Sequence, residues 1–158
     1  MPEIRLTRVA PQLTAVVRSI APRQALSTAV PAACGEVWNY MRAAQLPKPG
    51  RNVALYLDGR ITFEAGAEVT APFPASDRVI CSQTPGGMVA TATHLGPYTQ
   101  LAIVHSAIRA WCATQGKALA GPNWEVYGHW TDDPSQLRTD VFYLLASEGG
   151  RPQSPPAA

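Results

Sequence analysis

The segment Asn123-Trp124-Glu125-Val126-Tyr127-Gly128-His129-Trp130 concentrates side chains able to do chemistry. Read as an extended strand, it sends alternate residues to opposite faces. Trp124, Val126, Gly128 and Trp130 then share one face, and Glu125, Tyr127 and His129 share the other. Aromatic rings stand on both, so neither resembles an ordinary wet side. A carboxylate among rings is expensive to bury unpaired. It becomes useful when the missing partner is a cationic or hydrogen-bonding ligand. The bland alternative is an exposed Glu125 on an edge strand, or one paired with Arg138 on a neighbouring strand.

The remaining candidates carry weaker signals. His105 flanks an apolar helical stripe and reads as a satisfied helix histidine. His94 precedes Leu95-Gly96-Pro97-Tyr98, a strand-to-helix turn, where it is expected to hydrogen bond within the turn. Trp38 and Trp111 read as core residues that could line a cleft. Cys34, Cys81 and Cys112 are odd in number and lie outside any CxxC or Cys/His cluster, so they read as three buried thiols in a reducing compartment. No metal site and no cofactor are expected. Gly86-Gly87 lacks the setting of a phosphate loop, and no GxSxG, HExxH or P-loop pattern is present.

The elements that must position these residues form a weak repeat. One segment runs TAVVRSIAP, PAACGEVWNYMRAAQ, NVALYLDG and ITFEAGAEV; a second runs MVATATHLGP, YTQLAIVHSAIRAWCATQG, NWEVYGHW and RTDVFYLLA. Pro22 to Pro97 spans 75 residues, Trp38 to Trp111 spans 73, and Asn52 to Asn123 and Tyr56 to Tyr127 each span 71. Each half reads strand, helix, strand, strand. Together they predict a pseudo-symmetric α+β domain, since neither three-stranded half could cover its own apolar face. Pro31 is placed in the first turn of the first helix, after a loop over Ala21–Val30. Ala33, Val37, Tyr40, Met41 and Ala44 form its stripe, and Leu101, Val104, Ile108, Trp111 and Cys112 form that of the second. Gly116 is the expected C-cap, and Asp58-Gly59 a hairpin turn. At the 71-residue offset Tyr127 matches Tyr56, whereas Glu125 matches Ala54. Only one half carries the acid.

Composition bounds the function. The chain has 158 residues, 46% hydrophobic and 15% charged, and a net charge of +2. That is one domain of ordinary size, with halves over about 4–74 and 77–146 and a disordered tail over 147–158. Its basic residues are scattered singly, which argues against direct nucleic-acid binding. No apolar run reaches the length of a membrane span. The start, MPEIRLTRVAP, does not read as a signal peptide, so a cytoplasmic location is expected.

Several short motifs resemble those of one family. Thr84-Pro85-Gly86-Gly87-Met88-Val89-Ala90, His94-Leu95-Gly96-Pro97-Tyr98, Ala110-Trp111, Gly121-Pro122-Asn123-Trp124-Glu125-Val126-Tyr127 and Leu137-Arg138-Thr139-Asp140-Val141-Phe142-Tyr143-Leu144 are similar to successive signatures of the GyrI-like small-molecule-binding domains, which also serve as effector-binding domains of AraC-type and MerR-type regulators. The resemblance covers residues 4 to 146. It implies a tandem of two β-α-β-β units, a duplicated SHS2-like module, with an aromatic-lined cleft between them and an acid facing cationic lipophilic compounds. Carried over by that resemblance, the ligand-binding residues are Glu125, Tyr127, Tyr56 and Phe142, with Trp38 and Trp111 as further candidates. The segment Glu68-Val69-Thr70-Ala71-Pro72-Phe73-Pro74 and the loop before the first helix depart from the family pattern at the mouth of the cleft.

The leading reading is a stand-alone module that holds hydrophobic, cationic aromatic compounds, for sequestration or effector sensing. A regulator of this kind would need a DNA-binding partner in trans. The alternative implied by the resemblance is a hydrolase of cyclopropane-containing, DNA-alkylating natural products, with Glu125 activating water and Tyr127 or Tyr56 as donor. Inhibition of a protein partner is a third reading.

Overall fold

A computed structural model describes residues 2–57 and 62–147. The expected Asp58-Gly59 turn, and the tail beyond Ser147, lie outside the described residues. Eight strands form one antiparallel sheet: β1 (Arg5–Val9), β2 (Leu13–Ile20), β3 (Asn52–Tyr56), β4 (Thr62–Glu68), β5 (Ile80–Gln83), β6 (Gly87–Leu95), β7 (Leu119–Tyr127) and β8 (Arg138–Leu145). Two main helices, α1 (Leu26–Ala43) and α2 (Leu101–Thr114), follow β2 and β6. The order across the sheet is β1-β6-β8-β7-β3-β4-β2-β5. The runs β2-α1-β3-β4 and β6-α2-β7-β8 thus share one element order and meet where β7 pairs β3.

The strand order forces the sheet to roll. β1 and β2 lie six strand positions apart, as do β5 and β6. In a flat sheet that separation would be about 29 Å. The chain from Val9 to Leu13, or from Gln83 to Gly87, reaches about 14 Å at most. The two connectors also bind each other: Thr84 N–H donates to Gln12 O at 2.9 Å, and Gln12 N–H to Thr84 Oγ1 at 3.2 Å. Rolling buries a cluster of Leu55, Val89, Trp124 and Val126 that includes no helical residue. Both helices cover the other face. Val30, Ala33, Cys34, Val37 and Met41 of α1 pack over β2, β3 and β4, while Leu101, Val104, Ile108 and Cys112 of α2 pack over β6 and β8. No helix among the described residues is long and apolar enough to cross a membrane.

Helix ends follow from local chemistry. Gly116, with φ of 67°, ends α2 as expected: Lys117 N–H donates to Cys112 O at 2.8 Å and Gly116 N–H to Ala113 O at 3.2 Å. Gln45, with φ of 56°, does the same for α1, sending Leu46 N–H to Met41 O at 2.9 Å. The start of α1 corrects the sequence expectation. The Ala21–Val30 stretch is not a loop, because a single 3₁₀ turn (Arg23–Ala25) leads into α1 at Leu26 and puts Pro31 inside the helix. Pro31 cannot donate to the carbonyl of Ser27, but Ser27 is exposed and water can take its place. Cys81 corrects another: it is exposed on the edge strand β5, while Cys34 and Cys112 are buried. Burial pushes the Cys34 thiol up to about 11.

Gly35, inside α1, is an unforced weakness. A Cβ there would meet nothing within 4 Å, and glycine in a helix interior costs about 0.5–1 kcal/mol relative to alanine. Gly35→Ala is expected to raise the melting temperature by about 2–3 °C, read by thermal unfolding.

Candidate functional site

β7 runs through the centre of the sheet, and its register with β3 and β8 places each candidate. Glu125 lies opposite Ala54 on one side and Val141 on the other. Cross-strand partners share a face, so Glu125, Tyr127, Tyr56 and Tyr143 all point to the helix-covered side. Tyr127 packs against both helix-face clusters, which puts this group on the seam between them.

Glu125 is 6% exposed. Tyr127 Oη donates to its Oε1 at 2.5 Å, and His105 Nε2, from α2, lies 2.7 Å from Oε2. Behind the histidine, Tyr143 Oη is 2.6 Å from Nδ1 and accepts from Arg109 Nη1 at 2.9 Å. Tyr98, on the 3₁₀ turn before α2, stands edge-on to Tyr127 at 5.7 Å. Burial, then the Glu125 charge, lifts the Tyr127 phenol well above its usual value and lifts that of Tyr56 too. Burial also raises Tyr143, with Arg109 opposing. All three phenols therefore stay protonated and available as donors. A second buried acid marks the contrast. Glu64 is held by an arginine: Arg18 Nε donates to Oε2 at 2.8 Å and Ser82 Oγ to Oε1 at 2.7 Å. Glu125 is instead held by Tyr127 and His105, and no arginine among the described residues hydrogen-bonds to it.

The structure brings Glu125, Tyr127 and Tyr56 to one place. It sends Phe142 to the opposite face, stacked on Trp124 with centroids 5.3 Å apart and planes at 14°. The reason is parity: Val141 faces Glu125 across the strands, so its neighbour Phe142 must point away. Trp38 donates its indole N–H to Asn52 Oδ1 at 2.6 Å, and Trp111 packs against the α2 cluster. Neither touches Glu125. β7 ends at Tyr127, so His129 and Trp130 leave the strand and are exposed. Arg138 pairs with Asp140 at 3.2 Å rather than with Glu125. His94 bonds Pro97 O at 3.0 Å, within its turn.

Sequence reasoning missed His105, which meets the acid, and Arg109, Tyr143 and Tyr98, which stand behind its partners. A signal existed for the first two: they sit four residues apart, on one edge of the α2 stripe. Two surface depressions of about 250 Å³ lie elsewhere, one beside His94 and Ile103 and one beside Trp38 and Lys48. Neither reaches Glu125, which the tyrosines and His105 cover in this structure.

The sheet thus carries two helices on one face, with the buried acid Glu125 beside Tyr127 at the seam between them. The sequence profile of the GyrI-like small molecule binding domain matches residues 55–145, and the chain belongs to that family. The C-terminal domain of EcmrR is similar in structure, with a TM-score of 0.78 at 18% identity over 92% of this chain and 98% of that one. SAV2435, solved bound to tetraphenylphosphonium, gives 0.63 at 11% identity over 90% and 93%. A hydrolase from Listeria innocua gives 0.57 at 9% identity over 91% and 92%. At such identities the likeness is one of fold. No curated protein sequence matches the chain.

Proposed function

We propose that this chain binds hydrophobic, cationic aromatic compounds at the seam over Glu125. The observation that carries the reading is a buried carboxylate held by a tyrosine and a histidine, with no arginine among the described residues hydrogen-bonded to it. Tyr127, Tyr56 and Tyr98 offer ring faces to a cation, each worth roughly 0.5–2 kcal/mol. Ring contact and a single charge select by class of compound rather than by one structure, which suits sequestration or effector sensing. Ligand entry requires the cover to shift. Tyr98 is the mobile candidate, because it is 39% exposed and rides a three-residue 3₁₀ turn. The likeness in fold to a protein solved with tetraphenylphosphonium supports testing that compound first.

Tetraphenylphosphonium and tetraphenylborate have the same shape and opposite charge. The phosphonium, at about 100 times its Kd, is expected to stabilise the fold by about 2.7 kcal/mol. That is a rise in melting temperature of roughly 5–10 °C, with none for the borate. Equal shifts for both ions, or none for either, would sink the reading. Consumption of a cyclopropane-bearing alkylator, lost in Glu125→Gln, would replace it with the hydrolase.

A further inference from the structure

Glu125 is a carboxylate whose hydrogen bonds the protein supplies while its charge stays unmatched. Arg109 can only donate, so Tyr143 Oη receives that bond at 2.9 Å and keeps its own proton to give. The acceptor within reach of that proton is His105 Nδ1, at 2.6 Å. The imidazole proton then sits on Nε2, aimed at Glu125 Oε2 at 2.7 Å. Every donor meets an acceptor with a single proton on the ring. A second ring proton would crowd Tyr143 Oη with two donors and strand the phenol proton. Arg109, the arginine hydrogen-bonded into this chain, is therefore two links away from Glu125, and Arg23 acts on Tyr143 by its charge alone.

We infer that His105 is the specificity-determining residue of this site: its Nε2–H gives Glu125 the donor it needs, so the site admits cations that carry no N–H. A phosphonium or quaternary ammonium adds its charge and leaves no buried oxygen bare. An amidinium or primary ammonium must reach the remaining lone pairs past Tyr127 and His105, which already hold one site on each oxygen, and so gains less from its donors. The inference rests on the reading of the seam as a cation site. Tyr143 and Arg109 are positioning residues, since they hold the ring in the tautomer that donates.

The test is calorimetric titration of tetraphenylphosphonium and of 4-phenylbenzamidinium into wild type, His105→Leu and His105→Gln. In wild type the phosphonium is expected to bind more tightly. His105→Leu uncovers Oε2 for an amidinium donor, so the ratio of the two affinities should shift toward the amidinium by about tenfold. His105→Gln, whose side-chain amide can donate in place of the imidazole, should return the ratio to within about threefold of wild type. Equal weakening of both ligands in His105→Leu would mark a merely structural histidine and overturn the inference, as would an unchanged ratio. If wild type bound neither ion, the cation-site reading itself would fail. Imidazole ¹⁵N spectra of the wild type give a check independent of any variant. With three histidines in the chain, His105 can be assigned, and a protonated Nδ1 would also overturn the inference.

Discussion

Glu125→Gln is expected to weaken tetraphenylphosphonium binding by roughly 30-fold, about 2 kcal/mol. The substitution preserves the shape of the side chain and removes its charge. A cation about 5 Å from the carboxylate gains on the order of 3 kcal/mol at an effective dielectric near 20. Part of that is offset because both charges leave water. The fold should survive. A glutamine oxygen can still accept from His105 Nε2–H while its NH₂ donates to the Tyr127 oxygen, but the Tyr127 proton then loses its acceptor, so stability is expected to fall by about 1–2 kcal/mol. Calorimetric titration with a parallel thermal melt separates the two effects. An affinity within about twofold of wild type in a folded variant would mean that the acid does not select the ligand.

Gly66→Ala is expected to lower stability by about 3–5 kcal/mol, the largest structural effect of any single methyl considered. A Cβ on Gly66 would stand 1.9 Å from the Ala15 carbonyl oxygen and 2.9 Å from the Val16 Cα. Both obstacles are backbone, so no rotamer change relieves them. β4 also pairs with β2 and β3 at this point, through Val16 and Val53, and cannot move without opening a ladder. The predicted fall in melting temperature is roughly 10 °C, against a small rise for Gly35→Ala. A Gly66→Ala protein melting within about 2 °C of wild type would refute the packing argument.

The elements legible in the sequence were those with a buried face. Apolar segments recurring in both halves mark β2, β3, β4, β6, β7 and β8, and the apolar stripes mark both helices. β1 and β5 escaped because their side chains are mostly exposed or half-buried, so RLTRV and ICSQ carry no buried alternation. The start of α1 was hidden by Pro31, which reads as a beginning and lies within. Glu125 was legible as an acid among aromatics, but its neighbours across the strands were not. Cross-strand register is a tertiary fact, and a one-residue shift exchanges Phe142 for Val141 or Tyr143. Register also explains the unequal halves. Ala54 and Glu125, equivalent by the 71-residue offset, are direct partners across β3 and β7. Facing side chains in such a pair lie about 5 Å apart, so a glutamate at both places would set two buried carboxylates against each other.

The exchange of outer strands has a consequence for how the chain reaches its native state. β1 pairs with β6, joining Arg5 to Thr91 and Val9 to Gly87, although β2 follows it after three residues. β5 pairs with β2, joining Leu13 to Gln83, although β6 follows it directly in sequence. The outermost pairings thus close loops of about 70 to 90 residues, and contacts at such separation slow folding toward the millisecond-to-second range. On the ribosome, β1 must wait for nearly sixty percent of the chain before its partner strand exists, so the rolled sheet closes late and as one cooperative event.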